Sequence, residues 1–209
     1  MRIIGTAFAA LSTINRTQTL VMHRAKYSDK DLIVSILSKS FDDNKSVNYI
    51  VKQDRKRAER LKKLMEYSFD VCYHAGDIFL SEDKKGCVLI VLPDTKKTTP
   101  KSILWDIKLA LSVIGLSNIK KAMRREAKIN SLHPKKPIYY LWFIGVDPSE
   151  QNKGIGTKLL TEVINEGPKG RPIFLETSTL KNIPWYEKFG FNVYNKLDFG
   201  YELFCMKKE

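Results

Sequence analysis

Cysteine is scarce: Cys72, Cys87 and Cys205 are the only three, an odd number with no closely spaced pair. That argues against a disulfide framework and against a zinc site, and it fits a reducing compartment. Histidine does not favour a metal either, since His23, His74 and His133 are scattered. No apolar run is long enough to span a bilayer; the nearest, Ile103–Leu116, is interrupted by Asp106 and Lys108. It is expected to form a buried or lid helix. Internal repeats and linkers are absent, so the 209 residues suit one compact domain with a proper core. Acids are missing from the first 28 residues, where Arg2 and Arg16 stand among serines and threonines. This resembles a weak targeting peptide, but Ile3–Leu11 is short for a secretory core. Residues 1–21 are expected to be an extension ahead of a domain at 22–209, through a start upstream of Met22 or a plain extension. The expected location is the cytoplasm.

What is abundant is positive charge, a formal +13. It gathers in Lys52–Lys63 and Lys120–Lys136. One reading is a surface for nucleic acid or an acidic partner; the other is a pair of solvated helix faces. Ala58, Leu61, Leu64, Met65 and Phe69 keep helical spacing within and beyond the first run, which places its charges on the opposite face. Neither run carries the interleaved aromatics of a base-stacking platform. No specific nucleic acid, no membrane and no metal is therefore expected as a partner. A positive field also suits a polyanionic ligand.

Mixed α/β order follows from periodicity. Leu20–Arg24 is predicted as a first strand, and Asp29 as the N-cap of a helix bearing Leu32, Ile33, Ile36, Leu37 and Phe41. The basic helix follows, through about Phe69. Asp77–Leu80 and Gly86–Leu92 flank a polar turn and read as a hairpin that Pro93 ends. Pro100 opens a mostly helical stretch to about Ile129. Ile138–Val146 is almost wholly apolar, as a central strand covered on both faces should be. Ile155, Leu159, Leu160, Val163 and Ile164 mark a helix that Gly167–Pro168 stops. A strand from Ile173, a short helix Pro184–Phe189 and closing strands Phe191–Tyr194 and Tyr201–Met206 complete the order.

The chemistry concentrates after the central strand, in Val146-Asp-Pro-Ser-Glu-Gln-Asn-Lys-Gly-Ile-Gly-Thr-Lys-Leu-Leu160. Gly154 and Gly156 let backbone approach a ligand closely, and first-turn N–H groups without helix partners then face an anion such as a pyrophosphate. A glycine turn that merely starts a helix is the alternative. The pattern is neither the Walker loop nor the dinucleotide fingerprint.

The spacing hydrophobic-x-Val-x-Pro-x-x-Gln-x-x-Gly-x-Gly, followed by Leu-Leu, resembles the coenzyme A-binding motif of the GNAT acyltransferases. Leu175-Glu-Thr-Ser, then Asn182-Ile-Pro-Trp-Tyr186-Glu-Lys-Phe-Gly190-Phe191, resembles the second signature of that family. His23-Arg-Ala, Phe41-Asp-Asp, the hairpin ending at Pro93 and Cys205-Met-Lys are similar to the branch that includes puromycin N-acetyltransferase. The resemblance covers about residues 22 to 208, strongly after Ile138. It implies a single α/β domain, mixed α+β, with a partly splayed mixed sheet flanked by helices and acetyl-coenzyme A lying between Ile138–Val146 and Ile173–Thr177.

Roles follow from the same resemblance. Ile144, Gly145 and Val146 would pair with the pantetheine arm, one N–H polarising the thioester carbonyl. Gln151, Asn152, Lys153, Gly154, Ile155, Gly156 and Thr157 would cradle the pyrophosphate, and Asn182 would contact the pantetheine. Tyr186 matches the general acid, against the alternative of an aromatic packed beside Trp185 and Phe189. No ionisable acid or histidine lies in Ile138–Val146, so Glu176 is the nearest candidate base, unless it is a structural carboxylate. The activity implied is acetyl transfer from acetyl-coenzyme A to a primary amine of a small molecule. A protein or peptide amine, or a non-catalytic acyl-coenzyme A-binding adaptor, are the alternatives.

Overall fold

The computed structural model describes residues 22–209; the expected extension at 1–21, and the first two residues of the predicted strand Leu20–Arg24, lie outside them. Seven strands form one open sheet: β1 (Met22–Arg24), β2 (Gly76–Ser81), β3 (Gly86–Val91), β4 (Tyr139–Val146), β5 (Ile173–Thr177), β6 (Asn192–Asp198) and β7 (Glu202–Lys208). Their spatial order is β1-β2-β3-β4-β5-β7-β6. Every neighbouring pair is antiparallel except β4 with β5. Seven helices flank the sheet: α1 (Lys30–Ser40), α2 (Lys45–Ile50), α3 (Arg57–Ala75), α4 (Pro100–Leu109), α5 (Ile119–Asn130), α6 (Ile155–Glu166) and α7 (Ile183–Glu187).

The apolar run of β4 is explained by burial on both faces. Phe143 joins Ile33, Leu37, Met65 and Phe69 of α1 and α3 on one side. Leu141 joins Leu159, Leu160 and Val163 of α6 on the other. A bulge breaks the alternation: Leu89 pairs with Phe143 and Ile90 with Leu141, leaving Trp142 without an opposite residue on β3. Trp142 and Phe143 therefore pack on the same side, and the strand bends there, as bulged strands do. Gly145 belongs to the packing as much as to any ligand. A Cβ on it would lie 2.7 Å from Ser40 Oγ and 2.8 Å from Leu37 Cδ2, so its bare backbone lets α1 come down on β4.

The structure departs from the sequence reading in places. The stretch Ile103–Leu116 is not a buried helix. α4 contributes no buried residue, a wider turn follows at Ala110–Ile114, and Gly115 (φ 75°) ends it. Ile103, Leu104 and Ile107 are about half exposed, while Val113 and Ile114 are buried and Leu109 packs against the core. Apolar residues stand on too many sides of this helix for all to be covered. In the basic region Leu61, Leu64, Met65 and Phe69 are buried as expected, but Ala58 is exposed. Lys52–Lys56 precede the helix, and α2, capped by the Asn44 side chain accepting from Val47 N at 3.0 Å, is too short for its period to be visible.

Candidate active site

β4 and β5 are registered only at Tyr139–Ile173 and Tyr140–Phe174. Beyond Tyr140 the strands part, and a cleft of about 120 Å³ opens between them. Ile144, Glu176, Asn182 and Tyr186 all line it. Gly145 and Val146 pair with Cys87 and Gly86 on the β3 side, so the β5-facing edge of β4 beyond Tyr140 has no strand partner among the described residues and is open to an extended amide chain.

Past the end of β4 the chain turns into α6. Asp147 Oδ1 accepts from Ser149 N at 3.1 Å and from the Ser149 hydroxyl at 2.8 Å, while Lys39 of α1 reaches Oδ2 at 3.1 Å. The Ser149 hydroxyl, then Lys39, hold the Asp147 carboxyl down at about 2. A depressed carboxyl stabilises the fold above its unfolded pKa, about 4, and that contribution is lost as pH falls toward about 2. Asp147→Asn is expected to flatten this part of the acid-unfolding curve. Melting curves from pH 5 to pH 2 check it, and superimposable wild-type and variant profiles would contradict it.

Two left-handed residues, Asn152 (φ 64°) and Gly154 (φ 84°), then make the loop. Gln151 Nε2 donates to Val146 O at 3.3 Å, tying the loop to the strand end, and Lys153 pairs with Glu150 at 2.9 Å. Thr157 Oγ1 accepts from Trp185 Nε1 at 3.3 Å. The hydrogen bond from Lys158 N to Gly154 O (3.0 Å) opens the α6 ladder. The N–H groups of Ile155, Gly156 and Thr157 therefore precede it without helix partners, at the positive end of the helix dipole. A Cβ on Gly154 would meet nothing within 4 Å, and one on Gly156 would only touch Val146 and Trp185. The loop is thus an open concavity lined by N–H groups, fit for a pyrophosphate. Gln151, Lys153 and the Thr157 hydroxyl hold its shape.

Tyr186 is both packed and placed. It is 5% exposed, with its ring centroid 4.7 Å from that of Trp185 and 5.6 Å from that of Phe191. Its hydroxyl makes no hydrogen bond to the described residues, and desolvation by burial pushes the phenol well up. It stays protonated across the physiological range, a free donor at the cleft.

Glu176 has company that the sequence did not reveal. His133 Nε2 lies 3.1 Å from Oε1, and the Tyr140 hydroxyl donates to Oε2. Burial, then the Glu176 charge, pushes the Tyr140 phenol far up, so it remains a donor. Period-2 alternation puts Glu176 on the face of Phe174. That this face meets Tyr140 depends on the β4–β5 register, and His133 arrives from 43 residues away; neither is local information. Ser46 of α2 and Arg125 of α5 also line the cleft and were not singled out by motif.

The sequence model of the acetyltransferase (GNAT) family matches residues 97–191. An uncharacterized N-acetyltransferase of Schizosaccharomyces pombe is 31% identical over 153 residues, 64% of this chain and 59% of that protein. The chain thus matches about three fifths of the length of that relative. The structure of histone acetyltransferase HPA2 and related acetyltransferase from Corynebacterium glutamicum shares the fold. Its TM-score is 0.68 at 20% identity, covering 90% of this chain and 94% of that one. The C-terminal condensation domain of Ebony, in complex with beta-alanyl-dopamine, shares it too: TM-score 0.67, 10% identity, 90% and 97% covered. Residues 97–191, which include most of the parted strands and the glycine loop, are thus similar to the acetyltransferase (GNAT) family, and the fold of the described residues is shared with acetyltransferase structures.

Proposed function

We propose that the protein transfers an acetyl group from acetyl-coenzyme A to the primary amine of a small molecule, in the cytoplasm. The observation that carries this is a cleft lined by the parted edge of β4 and by Tyr186, whose hydroxyl is unbonded among the described residues, with the N–H-lined loop following the end of β4. Acetyl-coenzyme A supplies an activated acyl group on a thiol leaving group. The N–H groups of Ile155, Gly156 and Thr157 hold its pyrophosphate, and Ile144–Val146 and Asn182 align its arm. Glu176, oriented by His133 and Tyr140, takes the proton of the incoming ammonium. The nitrogen lone pair then forms the new C–N bond as the C–S bond breaks toward sulfur. Tyr186 gives its proton to that sulfur and recovers one from the acylated nitrogen, leaving amide and free thiol.

The small cleft and the likeness to the puromycin branch support a small acceptor over a protein or peptide amine. An available Tyr186 favours an enzyme over an acyl-coenzyme A-binding adaptor. Thiol release from acetyl-coenzyme A against a panel of amines tests the reading; no release with any amine would overturn it. Glu176→Gln preserves the shape and is expected to lower kcat/KM about a hundredfold at neutral pH, as general-base loss does. The deficit should shrink as pH rises toward the amine pKa, about 10, where free amine needs no base. A pH-rate profile parallel to that of the wild type would contradict the role.

A further inference from the structure

Arg125 occupies a position that α5 would ordinarily give to an apolar side chain. Ala122, Arg125 and Ile129 share the inward face by helical spacing. Ile129 is 2% exposed and Arg125 is 9% exposed, while Lys120, Lys121, Arg124 and Lys128 point to solvent. Burying a guanidinium is costly unless an anion meets it. None does so here. Nε donates to Tyr201 Oη at 3.0 Å and Nη2 to Ser46 Oγ at 2.6 Å, both neutral hydroxyls. The nearest carboxylate, on the exposed Glu126, is 3.8 Å from Nη1, beyond hydrogen-bond distance. Burial works against the charge of Arg125, but Tyr201, Tyr140 and Glu126 more than offset it, and the group stays cationic.

Two hydroxyls therefore fix one side of the fork, and N–H groups of Nη1 and Nη2 are left over in a cleft that Arg125 lines together with Glu176. The arrangement puts a cation and a carboxylate on the walls of one small pocket. We propose that the acceptor is an amine of amino-acid size that also carries a carboxylate. Arg125 binds the carboxylate through the free side of its fork, while Glu176 receives the ammonium end. A planar carboxylate matches two parallel N–H donors and supplies the missing countercharge. This deepens the acetyltransferase reading and rests on it.

The test pairs amino acids with their carboxamides, which keep size and amine but lose the charge, and adds phosphoethanolamine. Calorimetric binding to the full chain and acetyl-coenzyme A turnover are both measured. Wild type is expected to favour acids over amides about 10- to 100-fold in both, the usual scale for a hydrogen-bonded charge pair. R125Q should bring that ratio near one. R125K, which keeps charge without the fork, should retain part of it and guards against a fold defect in R125Q. Amides bound as well as acids, an intact ratio in a folded R125Q, or a preference for the phosphate would each overturn the proposal. Acid-selective, Arg125-dependent binding without any acetyl transfer would uphold the Arg125 site and sink the acetyltransferase reading instead.

Discussion

Tyr186→Phe is expected to lose about ten- to a thousand-fold in turnover, the range of general acid catalysis, with little change in acetyl-coenzyme A affinity. The proton matters only once charge develops on the leaving sulfur, so its loss is felt in the transition state rather than in the bound ground state. Phenylalanine keeps the ring among Trp185 and Phe191. No hydrogen bond to a described residue is lost with the hydroxyl, so the melting temperature should hardly move. Burial makes the phenol a reluctant acid. The same dry surroundings raise the proton affinity of a thiolate beside it, so donor and acceptor rise together. Single-turnover rates and calorimetric affinities, measured side by side, separate the two effects. A wild-type rate for the variant where chemistry limits would make Tyr186 a packing residue only.

Features written locally in the chain were legible from it. The apolar run of β4, the hairpin ending at Pro93, the glycine loop and the face of α6 each follow from spacing within a dozen residues or so, and the structure reproduces them. Of the two motif segments, the tyrosine-centred one lends Asn182 and Tyr186 to the cleft lining. What stayed hidden depends on partners distant in sequence. The bulge at Trp142 is a property of pairing with β3, and the parting of β4 from β5 is one of register. Arg125 looked like one more charge in a basic run until α5 turned it inward. For Ile103–Leu116, read as a buried or lid helix, only the buried alternative fails: hydrophobicity states a preference for burial, and Ile103, Leu104 and Ile107 stay about half exposed.

Gly154→Val is expected to weaken acetyl-coenzyme A binding by on the order of a hundredfold, the loss of one or two charge-assisted hydrogen bonds. At φ 84° a β-branched residue is strained by roughly 1–3 kcal/mol, whatever the space around it. With no protein atom within 4 Å of the new Cβ, the damage should come from two sources. The backbone leaves the left-handed region and re-aims the N–H groups of Ile155 and Gly156, and the valine enters the space proposed for pyrophosphate. Asparagine tolerates this conformation better, so Gly154→Asn should bind more tightly than Gly154→Val. Equal affinity for wild type and a folded Gly154→Val would remove the loop from the site.

The most direct measurement compares acetyl-coenzyme A with acetyl-pantetheine, which keeps the thioester and arm but lacks the pyrophosphate, by calorimetry on the wild-type chain. Acetyl-coenzyme A should bind, and acetyl-pantetheine should bind at least about a hundredfold more weakly, because the N–H groups at the start of α6 would have nothing to hold. Equal affinities, or no binding of acetyl-coenzyme A at all, would contradict a coenzyme A-dependent acetyltransferase built on this loop.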